Sequence, residues 1–225
     1  MINLHQRQAG VLLHVTSLPG PNGIGDFGPD AYSFVDWLQS AGQSLWQWLP
    51  TTPIGPGDSP YQSVSAFAGS PLMVALEPLV AAGWLQAPQA PETGFDALRV
   101  NFSTVVPWRL SQLRAAFAGF GLKNAAQERA AFEYWQKREA SWLDDYALFM
   151  ALETENGGKA WWHWPAEVRE REAGALGAAR LRLADEIGFW AFVQWCFDTQ
   201  LAALKSYANS HGVAATSQRA GRWGG

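Results

Sequence analysis

The chain has 225 residues, 48% hydrophobic and 16% charged, enough for one domain with a sizeable core or two small ones. A formal net charge of −4 and a pI of about 5.5 lack the basic footprint of nucleic-acid binding. No apolar run reaches the length of a membrane helix, and the opening Met1-Ile-Asn-Leu-His-Gln-Arg-Gln8 has no signal-peptide core, so the expected location is the cytoplasm.

Gly10–Val15 is a short apolar run between turn residues and predicts a buried strand. The glycines and prolines of Thr16–Gly28 break any period, so this segment is a loop. Pro29 suits the first position of a helix. Ala31, Phe34, Val35 and Leu38 recur at helical spacing, and Gly42 provides the stop. Ser44–Leu49 predicts a second strand. Strand, helix and strand within about forty residues read as a βαβ unit with parallel strands. Trp46 and Trp48, two apart, point to the same face. They read as core first and as a ligand platform second.

In a parallel α/β arrangement, the loops after Val15 and after Leu49 leave from the same carboxyl ends, where such folds bind ligands. The second of these loops is long and rich in Pro, Gly and Ser. Its apolar anchors Tyr61, Ala66 and Phe67 argue against disorder. Asp58, Ser59 and Tyr61 make it one wall of a polar-ligand site; as a turn, the same residues would only shape the loop. His14, at the end of the first strand, reads as a satisfied buried histidine, with a supporting role at that site as the alternative. Asp26 and Asp30 flank Pro29 at a helix start and read as structural.

From about Trp108 to Glu155 the pattern is helical. One helix capped by Asn124 runs to about Arg138, and a second carries Trp142, Leu143, Tyr146, Ala147 and Met150. Gly157-Gly158 breaks the second helix. Trp161, Trp162 and Trp164 crowd a turn before Pro165; packing is the simpler reading, a remote ligand platform the other. A long helix spans roughly Ala178 to Asn209 and stops at Gly212. Cys196 lies in its apolar run and reads as a buried, inert thiol. The scattered histidines and the one cysteine offer no metal-ligand spacing. Val213–Thr216 begins a strand only weakly.

Several ordered motifs carry a family resemblance. Ala9-Gly-Val-Leu-Leu-His-Val-Thr-Ser-Leu-Pro-Gly20, Gly23-Ile-Gly-Asp-Phe-Gly28, Trp46-Gln-Trp-Leu-Pro50 and Gly57-Asp-Ser-Pro-Tyr-Gln-Ser-Val-Ser-Ala-Phe-Ala-Gly69 resemble the start of 4-α-glucanotransferases. These are the amylomaltases, or disproportionating enzymes, of glycoside hydrolase family 77. Trp142–Phe149 and Leu204–Gly212 match in the expected order. The resemblance implies a (β/α)₈ barrel, of which this chain would hold the first two or three strands and a helical insertion. The implied divisions are 1–105 for the first βα units, 106–175 for the insertion, 176–213 for a return helix and strand start, and 214–225 for a tail foreign to the family.

The resemblance also implies retaining transfer of α-1,4-glucan segments between malto-oligosaccharides, through a carboxylate nucleophile and a second carboxyl group, without metal or organic cofactor. Ser59 and Tyr61 match the motif lining the donor side, Asp58 stands beside them, and the second reading of Trp46 and Trp48 becomes a sugar platform. The implied catalytic carboxylates lie on later barrel strands, downstream of this chain, so the expectation is a truncated or frame-shifted reading, inactive alone. The alternatives are a catalytically dead glucan-binding module and a hydrolase of the wider α-amylase-like group. The partners implied are malto-oligosaccharides, with no nucleic acid and no membrane; the sequence leaves the oligomeric state open.

Overall fold

The computed structural model describes residues 7–217 apart from positions 97 and 124. Its helices and strands run β1 (Gly10–Leu12), α1 (Pro29–Ser40), β2 (Leu45–Trp48), α2 (Glu77–Ala81), α3 (Phe102–Leu122), α4 (Ala126–Glu155), α5 (Ala166–Arg169), α6 (Ala173–Arg182), α7 (Ala184–Ser210) and β3 (Ala214–Ser217). The class is α/β: a three-stranded parallel sheet in the order β1-β2-β3, accompanied by many helices. Leu45 of β2 pairs with Gly10 on one side and with Ala214 on the other. Among the described residues, no helix is long and apolar enough to cross a membrane.

The chain divides into two compact units, one made of Met1–Lys123 with Cys196–Gly225, the other of Asn124–Trp195. These limits differ from the breaks at 105 and 175 expected from sequence. Helix α3 belongs to the first unit, and the second unit extends into α7.

In the first unit, Ala31, Val35 and Leu38 form the buried stripe of α1. The helix ends as its glycine predicts: Gly42 takes φ +68, and the Gln43 amide donates back to the Leu38 carbonyl at 2.9 Å. Strand β2 alternates as a strand with one covered face should, with Trp46 and Trp48 buried and Leu45 and Gln47 partly covered. Phe34 of α1 meets Trp46 edge-on at 4.9 Å, which ties helix to sheet. Strand β1 is shorter than the run Gly10–Val15 and is not buried: Gly10 and Leu12 are exposed. β1 lies at the sheet edge, paired on one side only, and the chain turns into a 3₁₀ segment at Val15–Ser17.

The carboxyl-terminal half of α7 packs in the same unit. Phe197 meets Phe27 at 5.3 Å. The buried Gln200 side chain pairs with Ala75 twice, accepting from its amide at 2.7 Å and donating to its carbonyl at 3.1 Å. Cys196 is buried, and burial pushes its thiol pKa up. The strand after Gly212 is complete in β3, so Ala214–Ser217, assigned from sequence to a foreign tail, belongs to the sheet. Residues 218–225 of that tail lie outside the described residues.

In the second unit α4 is one helix of 30 residues, where two were expected. Its buried side passes through Phe132, Trp135, Glu139, Leu143 and Tyr146 without a break. The charged residues near Arg138 lie on that continuous helix, with no Gly or Pro to end it. The expected cap, Asn124, lies outside the described residues. The single long helix expected from Ala178 is two, α6 and α7, separated at Leu183 (φ −105, ψ 20). Leu148, Leu152, Trp164, Leu176 and Ala179 form one core cluster of this unit.

Candidate functional site

Because the strands are parallel, the segments after β1 and β2 both leave from the carboxyl end of the sheet. The segment after β2 is a folded loop with its own internal frame. Ser70 closes its base by donating its amide to the Thr51 carbonyl at 2.8 Å. Thr52 Oγ1 donates to the Pro60 carbonyl at 2.8 Å. Gly55 and Ser59 form an antiparallel bridge, and the Gly55 amide donates to the Ser59 carbonyl at 2.9 Å.

Two positions show why this loop has its composition. A Cβ on Gly55 would lie 1.9 Å from the Gln62 carbonyl oxygen, so only glycine permits that approach. Gly57 and Asp58 both take positive φ, at 69° and 58°; glycine does so freely, and aspartate is among the side chains that tolerate it.

The frame turns three side chains outward. Asp58 is exposed, Ser59 is partly exposed, and Tyr61 keeps 62% of its surface in solvent. Ser59 Oγ accepts the Tyr61 amide at 3.3 Å, leaving its own O–H to donate elsewhere. The loop is thus both a turn and a presented surface. An exposed phenol ring with a serine hydroxyl and a carboxylate nearby can receive a pyranose, whose C–H face is apolar and whose edge is hydroxylated.

A cavity of about 640 Å³ reaches Asp58 and is lined by Gly23, Asp96, Arg99, Asn101 and Ser103. A second, of about 870 Å³, runs from Thr16 past Gly23 to Arg99. Sequence reasoning identified Asp58 and the loop after β1 but missed the segment 93–105. That segment carries no hydrophobic period, and its place beside Asp58 is a tertiary fact.

His14 follows β1. Its Nδ1 is buried without a partner among the described residues, and burial lowers the imidazole pKa to about 4, so the ring is neutral at physiological pH. Trp46 is fully buried, and its indole N–H donates to the Leu13 carbonyl at 2.8 Å. With Phe34 and Trp48 packed edge-on against it, Trp46 is a core residue and offers no face to a sugar.

Asp26 is structural in a way the sequence did not reveal. Its Oδ1 accepts the Gly28 amide at the start of α1, and its Oδ2 pairs with Arg109 Nη2 at 2.9 Å. Arg109, on α3, is fully buried and also donates to the Val74 carbonyl. It thereby ties the loop after β1 to the segment before α2. Burial raises the Asp26 pKa; Arg109 opposes that shift and nearby Glu77 adds to it. Asn22 donates to Glu77 at 3.2 Å. The available signal was an arginine in the stripe Val105, Arg109, Leu113, Ala116, Phe120, where a core residue belongs.

Comparison with known proteins agrees with this arrangement. The family profile described as 4-alpha-glucanotransferase matches residues 13–218, five residues beyond the Val213 limit read from the motifs. The 4-alpha-glucanotransferase of Thermus thermophilus is 46% identical over 207 residues, covering 92% of this chain and 41% of its own length. That of Streptococcus pneumoniae serotype 4 is 38% identical over 213 residues, covering 93% and 42%. The solved amylomaltase of Streptococcus agalactiae in complex with acarbose superposes with a TM-score of 0.88 at 35% identity, over 94% of this chain and 43% of that one. The chain thus spans about two fifths of the length of the relatives it matches. With the motifs in order and the fold in agreement, the chain belongs to glycoside hydrolase family 77, the 4-α-glucanotransferases.

Proposed function

We propose that this chain forms the amino-terminal part of a barrel-type 4-α-glucanotransferase, and that its Asp58–Tyr61 loop holds α-1,4-glucan on the donor side of the bond being transferred. The carrying observation is the internally framed loop at the carboxyl edge of the parallel strands, with Tyr61 presented to solvent. The likeness to an amylomaltase solved with acarbose supports a sugar as the ligand. Retaining transfer needs a carboxylate nucleophile and an acid/base carboxyl on either side of the bond. Asp26 does not serve, because both its oxygens are held by Gly28 and Arg109. The loop's role in that chemistry is to seat the donor sugar, with Tyr61 against its ring and Ser59 and Asp58 at its hydroxyls. Transfer itself is expected only with the remaining length of the family's chain; glucan binding is expected of this chain alone.

Titration of the chain with maltoheptaose, followed by tyrosine and tryptophan fluorescence, tests the reading. Tyr61→Ala is expected to weaken binding about tenfold, the loss of one ring contact of about 1.4 kcal/mol, and Tyr61→Phe to weaken it less. Equal affinity for wild type and Tyr61→Ala would remove the loop from the site. In parallel, incubation with maltotriose should release no glucose above background; steady formation of glucose and longer maltodextrins would overturn the division between binding and transfer.

A further inference from the structure

The turn Trp161–His163 in the second unit holds two tryptophans that the core does not use. Trp164 is the anchor: it is buried against Phe149, and its indole N–H donates to the Lys159 carbonyl at 2.7 Å. Trp161 remains 50% exposed and Trp162 57% exposed, their rings edge-on at 5.8 Å. Single exposed aromatics are ordinary, whereas a rigid pair beside a cavity marks a contact surface.

The cavity is present. It measures about 430 Å³, within the range of small-molecule sites, with Leu148, Leu152 and Trp164 at its floor, Trp161 on its wall, and Asp145 and Arg171 at its rim. Arg171 takes φ +58, a conformation uncommon for a long side chain. Its Nη2 lies 3.0 Å from both Asp145 oxygens, so an exposed guanidinium–carboxylate pair stands at the mouth. That pair retains N–H groups and lone pairs for a ligand. Each rim carboxylate is already engaged: Arg169 pairs with Glu170 at 2.9 Å, and Asp145 is shared by Arg171 and by Arg180 at 3.7 Å. A hydroxyl-bearing ligand can use the spare N–H groups and lone pairs of these paired groups without displacing an ion pair.

We infer that this cavity is a second carbohydrate site, taking a stretch of neutral α-1,4-glucan with one pyranose face on Trp161 and its hydroxyls on Asp145 and Arg171. The inference rests on the reading that the chain binds glucan, and adds a site in a different unit from the Asp58–Tyr61 loop. A polymer repeats the same sugar along its length. A second foothold therefore raises the effective concentration of glucan at the first when the chain spans both, and otherwise binds independently.

Hydroxyl-radical footprinting of the full chain, read by peptide mass spectrometry, distinguishes the two sites. Maltoheptaose is the probe, and an equal mass of sucrose controls for radical scavenging. Maltoheptaose should lower oxidation of Trp161 and leave the exposed Tyr134 of the same unit unchanged. Trp161→Ala should weaken retardation of the chain in amylose gels about tenfold, and Arg171→Gln less. Tyr61 oxidation reports separately on the loop. Protection of Tyr61 with none at Trp161 refutes the second site and leaves the first. Protection of Trp161 alone supports the second site and overturns the loop reading. No protection at either overturns both. If Trp161→Ala does not fold, the wild-type footprint alone decides.

Discussion

Removing the Asp26 carboxylate should be among the most damaging single changes available to this chain. Asp26→Ala leaves the Arg109 guanidinium fully buried with Val74 O as its remaining acceptor, since its Nε and Nη1 have no partner among the described residues. It also strips the Gly28 amide of its acceptor at the start of α1. A charge-assisted hydrogen bond is worth roughly 1.5–3 kcal/mol, and an orphaned buried amide adds about 1–3. Breaking one side of a buried pair costs about 3–5 kcal/mol, in line with that sum. Domains have only about 5–15 kcal/mol in total, so the variant should sit near the edge of folding.

The pair itself is not a net source of stability. The Asp26 pKa is raised on folding, so the carboxyl's contribution is complete at low pH and is lost as pH rises through the raised value. Replacing both partners by apolar residues, Asp26→Leu with Arg109→Met, should therefore recover about 2–3 kcal/mol of the single-variant loss. Urea unfolding followed by tryptophan fluorescence and by far-UV circular dichroism measures this, with coincident transitions required before free energies are compared. The reasoning fails if Asp26→Ala lies within about 1 kcal/mol of wild type. It also fails if the double variant is as unstable as the single one.

Two further changes probe the sheet unit. The His14 pKa is lowered to about 4 on folding, so the stability tied to its neutral ring is full above pH 6.5 and is lost as pH falls through about 4. His14→Gln should flatten the decline in Tm between those values relative to wild type, and parallel curves would contradict the assignment. At Gly69 an added Cβ would lie 2.2 Å from the Phe197 ring, which is itself packed on Phe27 at 5.3 Å. Gly69→Val should destabilise by about 1–3 kcal/mol, and Phe197→Leu in the same chain should return part of the loss; unchanged unfolding midpoints would show that the ring yields freely.

What the sequence could reveal follows from where each element draws its stability. Helix α1 was legible because Pro29, the spaced apolar residues and Gly42 act locally, and the structure uses each in that role. The Trp46–Trp48 alternation was legible for the same reason. Strand β3 was legible only as a weak start at Val213–Thr216, because Ala214–Ser217 has little intrinsic preference and becomes a strand by pairing with β2, about 170 residues earlier. Arg109 drew no notice in the sequence, because only the approach of Asp26 and Val74 makes it a core residue. The candidate site divides the same way. Asp58, Ser59 and Tyr61 stand on a loop whose shape is written in Gly55 and Gly57, whereas Asp96 and Arg99 join Asp58 only through tertiary packing. The turn Trp161–Trp164 is the sharpest case. Its aromatic residues look equivalent in sequence, and the Lys159 carbonyl together with Phe149 selects Trp164 for burial. Trp161 and Trp162 are left outward by that choice, so their exposure results from how the turn is anchored and not from their composition.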